Sequence, residues 1–191
     1  MSVLHADALA TLRAWTTGDP GQERLRQEYV DHLSAHADGM TREAHPDHVT
    51  AGALVLSADH TEVLLTLHAK ARRWFHLGGH CEPEDVTLAG AALREATEES
   101  GVDGLLLDPQ PLHLDAHVVG FCGPHTRVRH LDVRFLAVAP SDAAHAVSAE
   151  SIDVCWWPVD ELPTEDEDMR VLVDLAVQRA RRGPQTSSAA I

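Results

Sequence analysis

Apolar positions recur at helical spacing near the start of the chain. Leu4, Ala8, Leu12 and Trp15 form one stripe between Ser2 and about Thr17, and Leu25, Tyr29, His32 and Leu33 form a second between Pro20 and about Ala37. Gly18-Asp19-Pro20-Gly21 interrupts them, so a pair of helices is predicted. Periodicity lapses from Gly39 to Asp47, and a core domain is expected to begin near Asp47. The pattern then changes. Val49 to Leu56 and Glu62 to His68 are β-branched-rich runs separated by Ser57-Ala58-Asp59-His60, a hairpin signal. Trp74-Phe75-His76-Leu77 leads into Gly78-Gly79, which is read as the start of a loop, and Leu88 to Ser100 has helical spacing closed by Gly101 as C-cap.

Further strands are predicted over Gly104 to Leu107, Leu112 to Cys122, His130 to Ala139 and Val154 to Pro158, with Gly123-Pro124-His125-Thr126 as a turn. A last helix is expected from about Glu165 to Arg182, because its acidic start and arginine-rich end both suit the helix dipole. Strands with one helix among them and another after them describe an α/β fold, an α/β/α sandwich around a mixed sheet. The expected organisation is an N-terminal helical extension over residues 1–46, a core domain over 47–183, and a disordered Ser/Ala tail over 184–191.

At 191 residues the chain suits one domain with an added element. Thirty acidic against 15 basic residues give a formal charge of −15, which repels phosphate backbones and anionic membranes. Neither a nucleic-acid polymer nor a membrane is therefore an expected partner. An anionic small molecule remains compatible if a bound cation reverses the local sign. No apolar run reaches membrane-spanning length and no secretory leader is visible, which predicts a cytoplasmic address. Cys81, Cys122 and Cys155 are odd in number and widely spaced, so reduced thiols are expected.

The chemistry concentrates in the stretch from Gly78 to Val102. Glu95, Glu98 and Glu99 fall within about a 100° arc of one helix, so three carboxylates share a face. Such a face is often plain solvated surface. Carboxylates this close raise one another's pKa unless a cation lies among them, and a hard ion such as Mg²⁺ or Mn²⁺ suits their oxygens. The same stretch carries the Gly-Gly pair, Glu82-Pro83, alanines at Ala89, Ala91 and Ala92, and the Gly101 cap.

Together these residues resemble the box of the Nudix hydrolase (MutT-like) superfamily, G-x5-E-x7-R-E-U-x-E-E-x-G-U, where U is a bulky aliphatic residue. Gly79 matches the first glycine, Asp85 stands six residues later in place of glutamate, and Arg94-Glu95, Glu98-Glu99 and Gly101-Val102 match the rest. Eight residues rather than seven separate Asp85 from Arg94, and Ala96 stands where a bulky residue is usual. The resemblance implies the Nudix fold and a pyrophosphohydrolase that cleaves a nucleoside diphosphate linked to another moiety, by attack of water on phosphorus. It implies that Glu95, Glu98 and Glu99 hold Mg²⁺ or Mn²⁺, with the Gly79 carbonyl as a further ligand. Arg94 would be a structural partner, paired with a loop carboxylate such as Glu82, with Asp85 in the same loop. The general base would be a box glutamate, Glu98 or Glu99, or a later loop acid, for which Glu150 is the candidate.

Lys70, Arg72, Arg73 and Trp74 precede the box, where Arg72, Arg73 and Trp74 could meet phosphates and a base, or equally form a solvated turn with a Trp anchored in the core. His68, His76 and His80 lie near the box in sequence but lack compact ligand spacing on one element. Two other readings stand beside the hydrolase. One is a non-catalytic Nudix module that senses a nucleotide metabolite through the N-terminal helices, although no metal glutamate is lost and those helices are not strongly basic. The other is an enzyme like isopentenyl-diphosphate isomerase using Cys81. The N-terminal pair could pack on its own domain, cover the site, bind a partner or form a homodimer.

Overall fold

The computed structural model describes residues 2–43, 45–146 and 151–183. Helix α1 (Val3–Ala14) starts on Ser2, whose side chain accepts from the His5 amide. Helix α2 (Pro20–Ala35) starts on Asp19, which accepts from the Gly21 and Gln22 amides while Pro20 takes the first helical position. Both end slightly before the predicted limits, because Trp15 and His36 turn to extended backbone.

Seven strands among the described residues form one sheet: β1 (His48–Leu56), β2 (Glu62–His68), β3 (Trp74–Phe75), β4 (Leu77–His80), β5 (Leu106–Cys122), β6 (His125–Val138) and β7 (Ser151–Pro158). The order β3-β2-β1-β6-β5 is supplemented by β4 on β1 and β7 on β2. Strand β1 runs parallel to β6 from His48↔His130 to Leu56↔Val138, and every other pairing is antiparallel, so the sheet is mixed.

Three strand expectations need correction. Gly78 and Gly79 lie in β4, not in a loop: Gly78 pairs with Gly52 of β1, and a Cβ on Gly78 would stand 2.6 Å from the Gly52 Cα. Glycine here permits close backbone approach rather than a turn. Strand β5 is continuous across Asp108-Pro109-Gln110-Pro111, with a register shift between Asp108 and His113. It lies at the end of the strand order, where prolines are tolerated at bulges. The turn between β5 and β6 is only Gly123-Pro124, so His125 and Thr126 belong to β6.

Helix α3 (Leu88–Ser100) has the predicted span, with Thr87 accepting from the Gly90 amide and Gly101 closing it at φ +65°. Helix α4 (Glu167–Arg182) is capped by Asp166, two residues after the predicted start. Alternation along β1 and β6 sets the two faces of the sheet. Val49, Ala51, Ala53 and Val55, with Leu131, Val133 and Phe135, pack under α1, α2 and α3. Leu54, Leu56 and Leu136 pack under α4 through Leu172, Val173 and Ala176. Helices therefore cover both faces, giving the α/β/α sandwich. No described helix is long and apolar enough to cross a membrane.

The N-terminal helices share this core. Leu4, Ala8, Leu12, Tyr29 and Leu33 are buried in it, and each leucine contributes about 1.5–3 kcal/mol when fully withdrawn from water. Polar bonds fix their position as well. Tyr29 donates to the Asp115 carbonyl, and the Gln22 side chain bonds both the amide and the carbonyl of Leu114.

Candidate active site

The site is built on β4, the loop after it and α3. Residues Ala91, Ala92 and Ala96 are fully buried against the sheet. Their small size lets α3 sit close to β4, so that Glu95 lies directly over Gly79. A Cβ at Gly79 would meet all three outer atoms of the Glu95 carboxylate at 2.7–2.9 Å. Glu99 reaches the preceding residue, accepting from the Gly78 amide at 2.9 Å. Glu98 points outward, with its side chain 60% exposed.

Arg94 ties these parts together. Its Nε and Nη2 donate to the two Asp85 oxygens at 3.0 and 2.9 Å, a forked charge-assisted pair. Nη2 also donates to the His80 carbonyl at 3.0 Å, and Nη1 donates to Glu95 and Glu98 at 3.1 and 3.0 Å. Glu82, the loop partner named from the sequence, lies 3.9 Å away and is largely exposed, so Asp85 is the main clamp. Asp85 also accepts from the Glu82 amide, which closes the loop on itself. With eight residues between them, Asp85 and Arg94 still make this pairing.

Charge states follow from this arrangement. Burial works to raise Asp85, but the Arg94 hydrogen bonds and the Glu82 amide hold it below its usual value. Burial raises Glu95, and Arg94 only partly offsets this. Four carboxylates, those of Glu82, Asp85, Glu95 and Glu98, surround one guanidinium. That excess of hard oxygen donors fits a divalent cation. Burial beside Asp85 pushes the Cys81 thiol up to about 12, so it supplies no thiolate near neutral pH.

Other predicted residues lie elsewhere. Arg73 pairs with Asp166 at 2.6 Å and sits over the Phe75 ring, while Trp74 packs edge-on against Trp157 beside α4. Arg72 is exposed at the β2–β3 turn with φ +55°. Glu150 and residues 184–191 lie outside the described residues.

A polar cluster on the other side of β4 was not singled out from the sequence. Buried Asp132 takes hydrogen bonds from Thr50 at 3.1 Å and Arg134 at 3.0 Å, with His76 Nε2 at 3.2 Å. Arg134 continues to Asp115 and Asp168. The alternation His130-x-Asp132-x-Arg134 in an otherwise apolar strand was the available signal. A surface cleft of about 650 Å³ lies between α2, β5 and α4, but no box residue lines it.

The model of the NUDIX domain family matches residues 46–176, well over half of the chain. The chain belongs to the Nudix family. Solved structures share the fold. A Nudix-family hydrolase from Clostridium perfringens is 23% identical, with 69% of this chain and 94% of that chain covered at a TM-score of 0.53. An Ap4A hydrolase from C. elegans is 17% identical, with 66% and 93% covered at 0.54. A UDP-X diphosphatase is 16% identical, with 94% of each chain covered at 0.53. No curated protein matches the chain.

Proposed function

We propose that the chain is a pyrophosphohydrolase dependent on Mg²⁺ or Mn²⁺ that cleaves a small nucleoside diphosphate derivative. The observation carrying this reading is the acidic face of α3, with Glu95 and Glu98 on the Arg94–Asp85 clamp and Glu99 on the Gly78 amide beside it. Glu95, Glu98 and Glu99, with the Gly79 carbonyl, would hold the cation. When bound, it neutralises the diphosphate and offsets the charge that builds as water attacks phosphorus.

The protein groups have separable tasks. Asp85 and Arg94 fix the loop to the helix, so the carboxylates are held before substrate arrives. Glu98 is the most exposed of the three and is the box glutamate best placed to meet solvent. Glu99 and the later acid Glu150 are the other candidates for the base. An Ap4A hydrolase and a UDP-X diphosphatase are among the structural relatives, which supports a nucleotide-derived substrate. The N-terminal helices share the core with α3, so they are part of the enzyme body rather than a detachable output element.

The test is a panel of a UDP-linked sugar, a dinucleoside polyphosphate and ADP-ribose with Mg²⁺ or Mn²⁺, scored for diphosphate cleavage. Turnover by the wild type that falls about 10²-fold or more in Glu98→Gln or Glu99→Gln, with the fold intact by circular dichroism, is expected. Full activity in both variants, or no wild-type turnover on any member, would overturn it.

A further inference from the structure

Three imidazoles and one thiol converge on the face of the sheet opposite α3. His48 opens β1, His130 is its register partner on β6, His80 ends β4, and Cys122 ends β5. One ligand atom from each lies within 4.8 Å of all the others, and among the described residues no other group of three or more His, Cys, Asp or Glu side chains does so. The rings are arranged as a near-equilateral triangle, with centroids 5.0 Å apart for His48 and His130, 5.1 Å for His80 and His130, and 5.2 Å for His48 and His80. Cys122 Sγ completes the set, 3.0 Å from His80 Nε2 and 3.8 Å from His48 Nε2.

The hydrogen bonding also suits a metal ion. His48 Nδ1 is 3.0 Å from the Pro46 carbonyl, which fixes the proton there and leaves the Nε2 lone pair facing the cluster. Metal-bound histidines are commonly oriented this way. His130 Nε2 is buried with no hydrogen-bond partner. A buried acceptor without a partner costs about 1–3 kcal/mol in an ordinary core. A metal ion would satisfy it. Burial favours neutral imidazole at all three histidines, the form that ligates.

We infer that His48, His80, His130 and Cys122 form a tetrahedral Zn²⁺ site, separate from the carboxylates of the box. Three nitrogens and a sulfur are borderline-to-soft donors that select zinc over Mg²⁺. Zinc arms of about 2.0–2.3 Å place tetrahedral ligands roughly 3.3–3.7 Å apart, so only small side-chain shifts are needed. Binding converts the Cys122 thiol to a thiolate and releases one proton to solvent, with no change of oxidation state. With four protein ligands the site is closed, and its role is structural. It fastens the tip of the β5–β6 hairpin to β1 and to β4, where His80 also gives its carbonyl to Arg94.

The test uses the full chain stripped of metal and titrated with Co²⁺, a spectroscopic stand-in for zinc. One equivalent per chain should give tetrahedral d–d bands together with a thiolate-to-cobalt charge-transfer band, both bleached by one equivalent of Zn²⁺ and unchanged by excess Mg²⁺. Cys122→Ser should abolish the thiolate band, and His130→Ala should weaken binding at least tenfold. His117→Ala should leave both unchanged, because that ring is bonded to Asp115. A folded wild-type chain showing no thiolate band would overturn the inference, whether or not the variants fold. So would a thiolate band that persists in Cys122→Ser, since the sulfur would then be Cys81 or Cys155.

Discussion

Adding one methyl group to either of two adjacent glycines is expected to give opposite phenotypes. At Gly79 the new Cβ would lie 2.7 Å from Glu95 Oε2, where ordinary contact begins near 3.4 Å, so the carboxylate must retreat by about 0.7 Å. It ends a flexible side chain, so the fold can yield at a cost of about 1 kcal/mol. The Glu95 carboxylate is nevertheless 15% exposed and tied to Arg94, so retreat pulls it from its place on the acidic face of α3. Misplacement on the 1 Å scale at a reacting centre costs up to about 10²-fold, and a fall in kcat of about 10- to 100-fold is expected for Gly79→Ala. At Gly78 the methyl would lie 2.6 Å from the Gly52 Cα, backbone against backbone in paired strands. Neither strand can rotate away, and Gly78→Ala should lose about 2–3 kcal/mol, or roughly 4–12 °C in Tm. The assay pairs thermal melts with turnover of whichever panel diphosphate the wild type cleaves. A Gly79→Ala protein with kcat within twofold of wild type would refute the placement of Glu95, and equal melting of Gly78→Ala and wild type would refute the strand contact.

Other outcomes follow from the same contacts. Asp85→Ala removes the forked partner of Arg94, which can still turn to Glu95, Glu98 and water, so the loss should be about 2–3 kcal/mol, with activity reduced; urea midpoints read it, and an unchanged midpoint would count against the clamp. Asp132→Ala leaves a 5%-exposed Arg134 without its nearest buried carboxylate and should cost about 3–5 kcal/mol. Acid stability reports on the same residue. Burial works to raise Asp132, but His76 and Arg134 hold it well below 3.8 when folded, so its contribution is full above that value and drains as pH falls through the folded value. Asp132→Asn should therefore flatten the acid limb of a plot of urea midpoint against pH, and an unaltered limb would exclude the assignment. Asp7 of α1 accepts from the Leu88 amide at the start of α3, at 2.7 Å. Asp7→Ala should cost about 0.5–2 kcal/mol by melting, as loss of a helix cap does.

The box helix was legible because its signals are local. Thr87, the alanine face and Gly101 all act within a few residues, and α3 spans Leu88–Ser100 as the spacing predicts. The choice of Asp85 over Glu82 was less visible, since it depends on how the loop turns to meet Arg94. Gly78-Gly79 reads as a turn until Gly52, far earlier in the chain, is known to lie opposite. His48, His80, Cys122 and His130 come from four separate strands, and only the pairing of β1 with β4 and β6 brings the histidines together. No motif spacing records such an assembly, because side-chain alternation names the face of a strand and not its neighbour.

The parallel pairing of β1 with β6 has a kinetic consequence. His48 and His130 face each other only after the whole intervening chain has been laid down, so the ladder closes a long loop before any contact repays it. The hairpin of β5 and β6, joined by two residues, can form early, whereas its docking onto β1 is non-local and expected to limit the refolding rate. A slip of one residue in that docking would turn His130 and Asp132 toward the alanines of α3 and send Leu131 and Val133 to the polar side. Refolding yield should therefore depend on conditions that let misregistered strands separate and pair again.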